Sequence, residues 1–359
     1  MVKRTDRILI ITLSLFAMVL TNLHSAENPV ISLDILPAVS YNAQTEAWTQ
    51  ALVSSGTLSF KSKNAGNVRG EIALTYPPTT KVADAYIKKA YLKAKFPSFR
   101  LTMGKTRLSW GDGALFNAAD ILFGSSSTTV DLTQSELRSD TKWLVSANIP
   151  LDSFSFVEVV TMPSTGENVS DISLGGRIYT TFGSLKLESG YARVRESATN
   201  IHKGYISLQG NVGADWNLSS SVGIKGAEDI DWNITGGLFY LKYLENDKVL
   251  TLRLEFLARP LGTWNWGPVA NDASCPLLIY PEITYAPRSN LAFSLRSIIS
   301  PFDLSAMTTF ATSWNVFEGF SLIGYVSAKT GDAGDLFSWK STELFHSSLA
   351  IAAGASWIF

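Results

Sequence analysis

The last thirteen residues, Ser347 to Phe359, constrain this chain more than any other stretch. In steps of two from the end, Phe359, Trp357, Ala355, Ala353, Ile351 and Leu349 are all apolar. Between them, Ile358 apart, Ser356, Gly354, Ala352, Ala350 and Ser348 are small or hydroxylated. A period of two with one apolar face and one small or polar face is a strand that separates two environments. A chain that stops on Trp-Ile-Phe with no polar tail expects the outer face of that strand to meet something other than water.

The same alternation recurs along the chain. Val68, Gly70, Ile72, Leu74 and Tyr76 oppose Arg69, Glu71, Ala73 and Thr75; Leu250, Leu252, Leu254, Phe256 and Ala258 oppose Thr251, Arg253 and Glu255. Leu185, Leu187 and Tyr191 stand against Lys186, Glu188 and Gly190, and Leu291, Phe293 and Leu295 against Ala292, Ser294 and Arg296. Segments of about ten alternating residues are the weak but repeated signal of a membrane barrel, lipid outside and water inside. A soluble sandwich alternates too; the terminal strand and the connections favour the barrel. Brief turns at 62–66, 97–98, 150–152, 183, 211–214, 244–248, 287–289 and 315–318 take turns with longer links at 41–50, 77–83, 110–141, 163–171, 195–203, 225–231, 259–277, 299–304 and 330–346. The expected fold is therefore all-β: a transmembrane antiparallel up-and-down β-barrel of about 18 strands, closed by pairing 30–40 with the terminal strand. Fourteen or 16 strands remain open, because 153–162 and 305–314 alternate poorly.

The chain begins with a positive start (Lys3, Arg4, Arg7), an apolar run from Ile8 to Leu20 and small residues at Ser25 and Ala26. That pattern predicts a cleaved signal peptide over 1–26 and a single barrel domain over 27–359. Without Lys3, Arg4, Arg7 and Asp6, the 30 basic and 31 acidic residues become 27 and 30, a balance that excludes a nucleic-acid footprint. The lone cysteine, Cys275, allows neither a disulfide framework nor a cysteine metal site.

The most specific string is GKTRLSWGDGALFNAAD, Gly104 to Asp120. It resembles the G-[KR]-x-x-x-x-W-G-x-G-x-x-x-N-P-x-D signature of porin-like outer-membrane barrel families, including alginate-export-type barrels. Gly104, Lys105, Trp110, Gly111, Gly113, Asn117 and Asp120 match, while Ala118 stands where those families have proline. The chain end resembles the closing strand of outer-membrane barrels, which implies that Trp357 and Phe359 are read by the barrel assembly machinery. Together the resemblances imply a bacterial outer-membrane location, contact with outer-membrane lipid, and association into a homotrimer as an open alternative. The long link 110–141 either folds inward to narrow the pore or stays outside as a loop with a strong turn.

The face opposite the apolar one carries Arg69, Lys93, Lys95, Arg100, Arg177, Lys186, Arg253 and Arg296 with Glu71, Glu188, Glu255 and Glu282. Facing lipid, a charged residue costs about 2 to 4 kcal/mol near the midplane, so spanning strands place these in a water-filled lumen. Opposed basic and acidic rows orient polar solutes in a constriction, and the basic excess leans toward anions. No HExxH, GxSxG or phosphate-binding glycine loop occurs, and His202 and His346 fall in or beside links, so neither an enzyme nor a cofactor nor a metal centre is expected. The function expected is passive diffusion of small hydrophilic solutes. The rivals are a barrel-anchored surface protein, for adhesion or surface-polymer binding through Trp264 and Trp266, and an uptake channel for hydrophobic molecules, which would need an amino-terminal hatch.

Overall fold

A computed structural model describes residues 29–62, 66–76, 86–124, 137–163, 171–196, 199–226, 229–269, 271–340 and 348–359. The leader expected over 1–26 and His346 lie outside these residues. The strands are β1 (Val30–Asn42), β2 (Ala47–Lys61), β3 (Val68–Tyr76), β4 (Tyr86–Lys95), β5 (Arg100–Thr106), β6 (Lys142–Pro150), β7 (Phe156–Met162), β8 (Ser173–Phe182) and β9 (Leu185–Glu196). They continue as β10 (Thr199–Asn211), β11 (Asp215–Lys225), β12 (Asp229–Tyr243), β13 (Val249–Ala258), β14 (Leu277–Arg288), β15 (Leu291–Ser300), β16 (Ser305–Phe317), β17 (Phe320–Lys329) and β18 (Leu349–Ile358). Each pairs antiparallel with its sequence neighbours, and β18 pairs with β1, so the 18-stranded sheet closes on itself. Closure satisfies the backbone of both terminal strands and leaves no edge.

At the seam, Leu33 opposes Trp357, Ile35 opposes Ala355 and Val39 opposes Ile351. The chain end is held as well: the Phe359 N–H donates to the Ile31 carbonyl at 2.8 Å. Opposed residues share a face, so these registers separate outside from inside around the whole ring. Leu33, Ile35, Leu52, Leu74, Val159, Ile178, Leu238, Leu254, Ile283, Val326 and Ile351 are exposed and point outward. An apolar belt of that extent matches lipid and would be a severe liability in water. Its rim at the short-turn end carries Phe60, Phe182, Trp314 and Trp357, and Trp357 stacks on Phe359 with ring centroids 5.2 Å apart.

The links depart from the sequence expectation in length. The connections expected at 41–50, 195–203 and 225–231 shrink to 43–46, 197–198 and 226–228, because the flanking strands run on. β2 and β12 reach 15 residues each, beyond the roughly 9–11 that a tilted spanning strand requires, so they carry the ladder past the apolar belt. The links that stay long are 77–85, 107–141, 163–172, 259–276 and 330–348. All leave the same end of the barrel, opposite Val30 and Phe359.

Inside, two apolar clusters fill much of the lumen beside β6–β16. One joins Leu115 and Phe116 of the 107–141 link to Leu257, Leu278, Tyr280 and Ile298 of the wall. The other joins Trp110, Ile121 and Leu122 to Leu144, Val160, Met162, Val194 and Tyr205. The remaining inner wall, β17, β18 and β1–β5, is lined at mid-height by small and hydroxylated residues such as Ser32, Ser55, Thr57, Ser327 and Ala350, and near the short-turn end of β2–β5 by charged ones.

Candidate constriction site

After β5 the chain leaves the wall and runs into the barrel, crossing the inner faces of β6 to β13. Gly111 and Gly113 make the entry turn at φ +68° and +137°; a side chain at Gly111 would strike Ala119 and one at Gly113 the Phe116 carbonyl. Only glycine adopts these conformations at little cost. Asn117, buried at the bend, closes it twice. Its Nδ2 donates to the Trp110 carbonyl at 2.9 Å, and its Oδ1 accepts from the Ala119 N–H at 3.0 Å. Asp120 pairs with Arg107.

Inward carboxylates of the wall then bind the backbone of the loop. Glu255 on β13 accepts from three consecutive N–H groups, Ala114 at 2.7 Å and Leu115 and Phe116 at 2.9 Å each. Glu188 on β9 accepts from the Gly111 N–H at 2.9 Å, from Arg177 Nη1 at 3.1 Å and from the Tyr205 hydroxyl. Glu158 on β7 accepts from Trp110 Nε1 at 3.0 Å and Ser146 Oγ at 2.8 Å, with Arg177 Nε 2.8 Å away. A buried carboxylate is costly unless charge-assisted hydrogen bonds surround it, and the loop amides supply them. Thr235 on β12 accepts from the Ala118 N–H at 2.9 Å. Proline at 118, the residue of the resembled signature, has no such hydrogen to give.

Between the loop and β13–β15 lies a gap of about 350 Å³ bounded by Arg107 and Arg138 of the loop, Arg253 and Arg296 of the wall, and the carboxylates of Asp120 and Glu282. Glu282 accepts from Arg253 Nη1 at 3.0 Å and from Arg296 Nε at 2.9 Å. Arg138 braces the loop from the other side, its Nε and Nη2 donating to the Leu115 carbonyl at 2.8 and 2.6 Å. Burial pushes its guanidinium below the ordinary arginine value, and Asp120 opposes that shift. Four guanidiniums outnumber the two carboxylates that line this gap, and Glu255 lies 3.8 Å from Arg253 at its edge, so arginine dominates the lining. A second space of about 310 Å³ opens toward the short-turn end, lined by Lys186, Gln209, Asn217, Phe239, Arg253 and Asp112.

The sequence candidates separate into groups. Arg177, Glu188, Glu255, Glu282, Arg253 and Arg296 gather around the loop, together with Trp110, Gly111, Gly113, Asn117 and Asp120. Arg69, Lys93, Lys95 and Arg100 face inward near the short-turn end, well away from the loop, and Glu71 there accepts from the Tyr91 hydroxyl at 2.8 Å. Gly104 lies on the inner register of β5, and Lys105 on the outer one opposite Ala90 and Trp143, its Nζ reaching the Ile87 carbonyl. Glu158, Thr235, Arg107 and Arg138 were not expected. Glu158 was hidden in the poorly alternating stretch 153–162, where Val160 and Met162 face inward because Trp110 and Leu122 pack on them. Among the described residues no cluster of three or more potential metal ligands occurs.

A closed 18-stranded antiparallel barrel defines a class of architecture, and the chain is similar in fold to solved structures. The chain is similar to a BenF-like porin from Pseudomonas fluorescens Pf-5, with a TM-score of 0.59 at 11% identity, covering 94% of this chain and 99% of that one. Acinetobacter baumannii OccAB4 gives a TM-score of 0.57, and Pseudomonas aeruginosa OccK2 (OpdF), solved in complex with glucuronate, 0.56, both at 11% identity with the same coverage. At this identity the likeness speaks for the fold. No family model and no curated protein matches the sequence.

Proposed function

We propose that the protein is a porin-like channel of a bacterial outer membrane that passes small hydrophilic solutes by passive diffusion, with a preference for anions. One observation carries the reading: the 107–124 segment is fastened across the interior by Glu158, Glu188, Thr235 and Glu255, and beside it is a gap edged by four arginines. The fixed loop narrows the passage, and the arginines set its field. Guanidinium groups at close quarters favour carboxylate or phosphate over cations. The short turns and both ends of the described chain face the periplasm in this reading, the long links the outside. Trp357 and Phe359 then lie in the periplasmic aromatic rim and serve as the assembly signal. The likeness of the 104–120 string to alginate-export-type barrels bears on how the loop is built and names no solute. One of the structures similar in fold is a porin by name, which favours a channel over an enzyme.

Single-channel recording in planar lipid bilayers tests this. Discrete conductance steps are expected, with a reversal potential on the anion side in a potassium chloride gradient. Arg253→Gln should move that potential toward the cation side. A folded, heat-modifiable barrel without steps would overturn the channel and leave the surface-anchor reading.

A further inference from the structure

The periplasm-facing mouth holds a second basic cluster that the loop site does not use. Lys61, Arg69, Lys93, Lys95 and Arg100, at the ends of β2 to β5, all fall on the inward register and are exposed. Two of the pairings set like charges directly opposite each other, Arg69 against Lys93 and Lys95 against Arg100. Directly opposed side chains sit about 4.5–5.5 Å apart at Cβ, and like charges there destabilise a sheet. The inward neighbours do little to neutralise them. Glu71, opposite Lys61, is the one carboxylate in these pairings against five cations, and it also accepts from the Tyr91 hydroxyl; Thr102 opposes Lys93, Asn148 opposes Arg100, and Ser59 opposes Ala73. Among the described residues none of the five cations takes part in an ion pair.

From this arrangement we infer a separate anion site at the periplasmic exit, suited to solutes with two or more negative charges such as phosphorylated or polycarboxylate compounds. Lys93 and Lys95 stand two residues apart on β4, about 7 Å along the strand. With their partners across the ladder they make a patch of two opposed cation pairs, wide enough for two anionic groups. The side chains point into the lumen rather than onto the rim, so a solute in the passage reaches them and a folded partner does not. The site then collects polyanions at the inner mouth, some distance beyond the arginine gap. Which membrane face it serves rests on the channel reading above; the binding itself does not.

Inorganic pyrophosphate is the probe. Added to either side of a single channel in turn, it should interrupt the current at lower concentration from the periplasmic side. The double variant Arg69→Gln, Lys95→Gln should lose that sidedness, weakening the periplasmic block by at least about tenfold. Arg253→Gln should keep it, which separates this site from the arginine gap. Calorimetric titration of the detergent-solubilised barrel reads the site whether or not the protein conducts: pyrophosphate should bind wild type at one more site than it does the double variant, which keeps only the arginine gap. Its thermal unfolding should corroborate, the double variant melting higher than anion-free wild type because the opposed charges are gone, with pyrophosphate closing the difference. Equal block from both sides, or equal pyrophosphate binding by wild type and double variant, would overturn the inference.

Discussion

The inner wall of this barrel has two unlike halves. Beside β6–β16 it carries carboxylates and apolar side chains, Glu158, Glu188 and Glu255 among Val160, Leu257, Leu278 and Ile298, and nearly all of them touch the inward loop. Along β17, β18 and β1–β5 it carries serines, threonines and alanines at the same height, with hydroxyls bonding across the ladder, as Thr57 does to Thr75 at 3.1 Å. Both halves use the same strand geometry and the same apolar exterior. The difference teaches that the exterior of such a barrel is dictated by lipid all the way round, while the interior follows whatever lies against it: packed loop on one side, water on the other. In the channel proposed above, the passage runs along the bare side, and its narrowest section is set by how firmly the packed side holds the loop.

The largest way to break that contrast is to remove the strongest fastening. Glu255→Leu leaves three loop N–H groups without their acceptor, at about 3–5 kcal/mol when such charged hydrogen bonds are lost in a buried setting. The variant should show higher and noisier conductance and a lower thermal midpoint. Conductance indistinguishable from wild type would mean that the other anchors, Glu158, Glu188 and Thr235, and the apolar contacts hold the loop without Glu255.

Next is the seam, which lies in the bare half and owes nothing to the loop. Removing Phe359 takes away its main-chain bonds to Ile31 and its stack on Trp357. The yield of heat-modifiable barrel in the membrane should fall several-fold, while channels that do insert keep the wild-type conductance. A normal yield would remove Phe359 from assembly; an altered unit conductance would show that the two halves are coupled after all.

A smaller effect is expected from Ala118→Pro, which restores the residue of the resembled signature. It deletes the hydrogen bond to Thr235 and biases Asn117 toward extended backbone, at a cost of about 1 kcal/mol. The loop should loosen, seen as faster hydrogen exchange at the Ala119 amide, with the barrel's own thermal midpoint nearly unchanged.

These halves also explain what could be read from the residues alone. The ring of 18 strands was legible because lipid demands an apolar residue at every outward position, which is every second residue of a strand, as Leu250, Leu252 and Leu254 supply. β7 and β16 were hard to read because Met162 and Met307 are apolar on the inside, where they meet the loops rather than water. Link lengths were overestimated at 195–203 and 225–231, since nothing in Thr199 to His202 or Asp229 to Asp231 marks where a strand leaves the membrane but continues its ladder. The string from Trp110 to Asp120 announced a tightly turned loop. Its anchors were illegible for a different reason: Glu255 and Thr235 act on backbone N–H groups, and such partners leave no trace in the side chains of the loop.

The central claim is that the link after β5, whose described residues 107–124 lie inside the barrel, sets the width and the charge of the passage. Single-channel conductance of a variant lacking residues 111–140, measured against wild type in the same bilayers, tests it most directly. Conductance should rise at least about twofold and anion preference should weaken, because the narrowest section governs both. Unchanged conductance and unchanged reversal potential would contradict it.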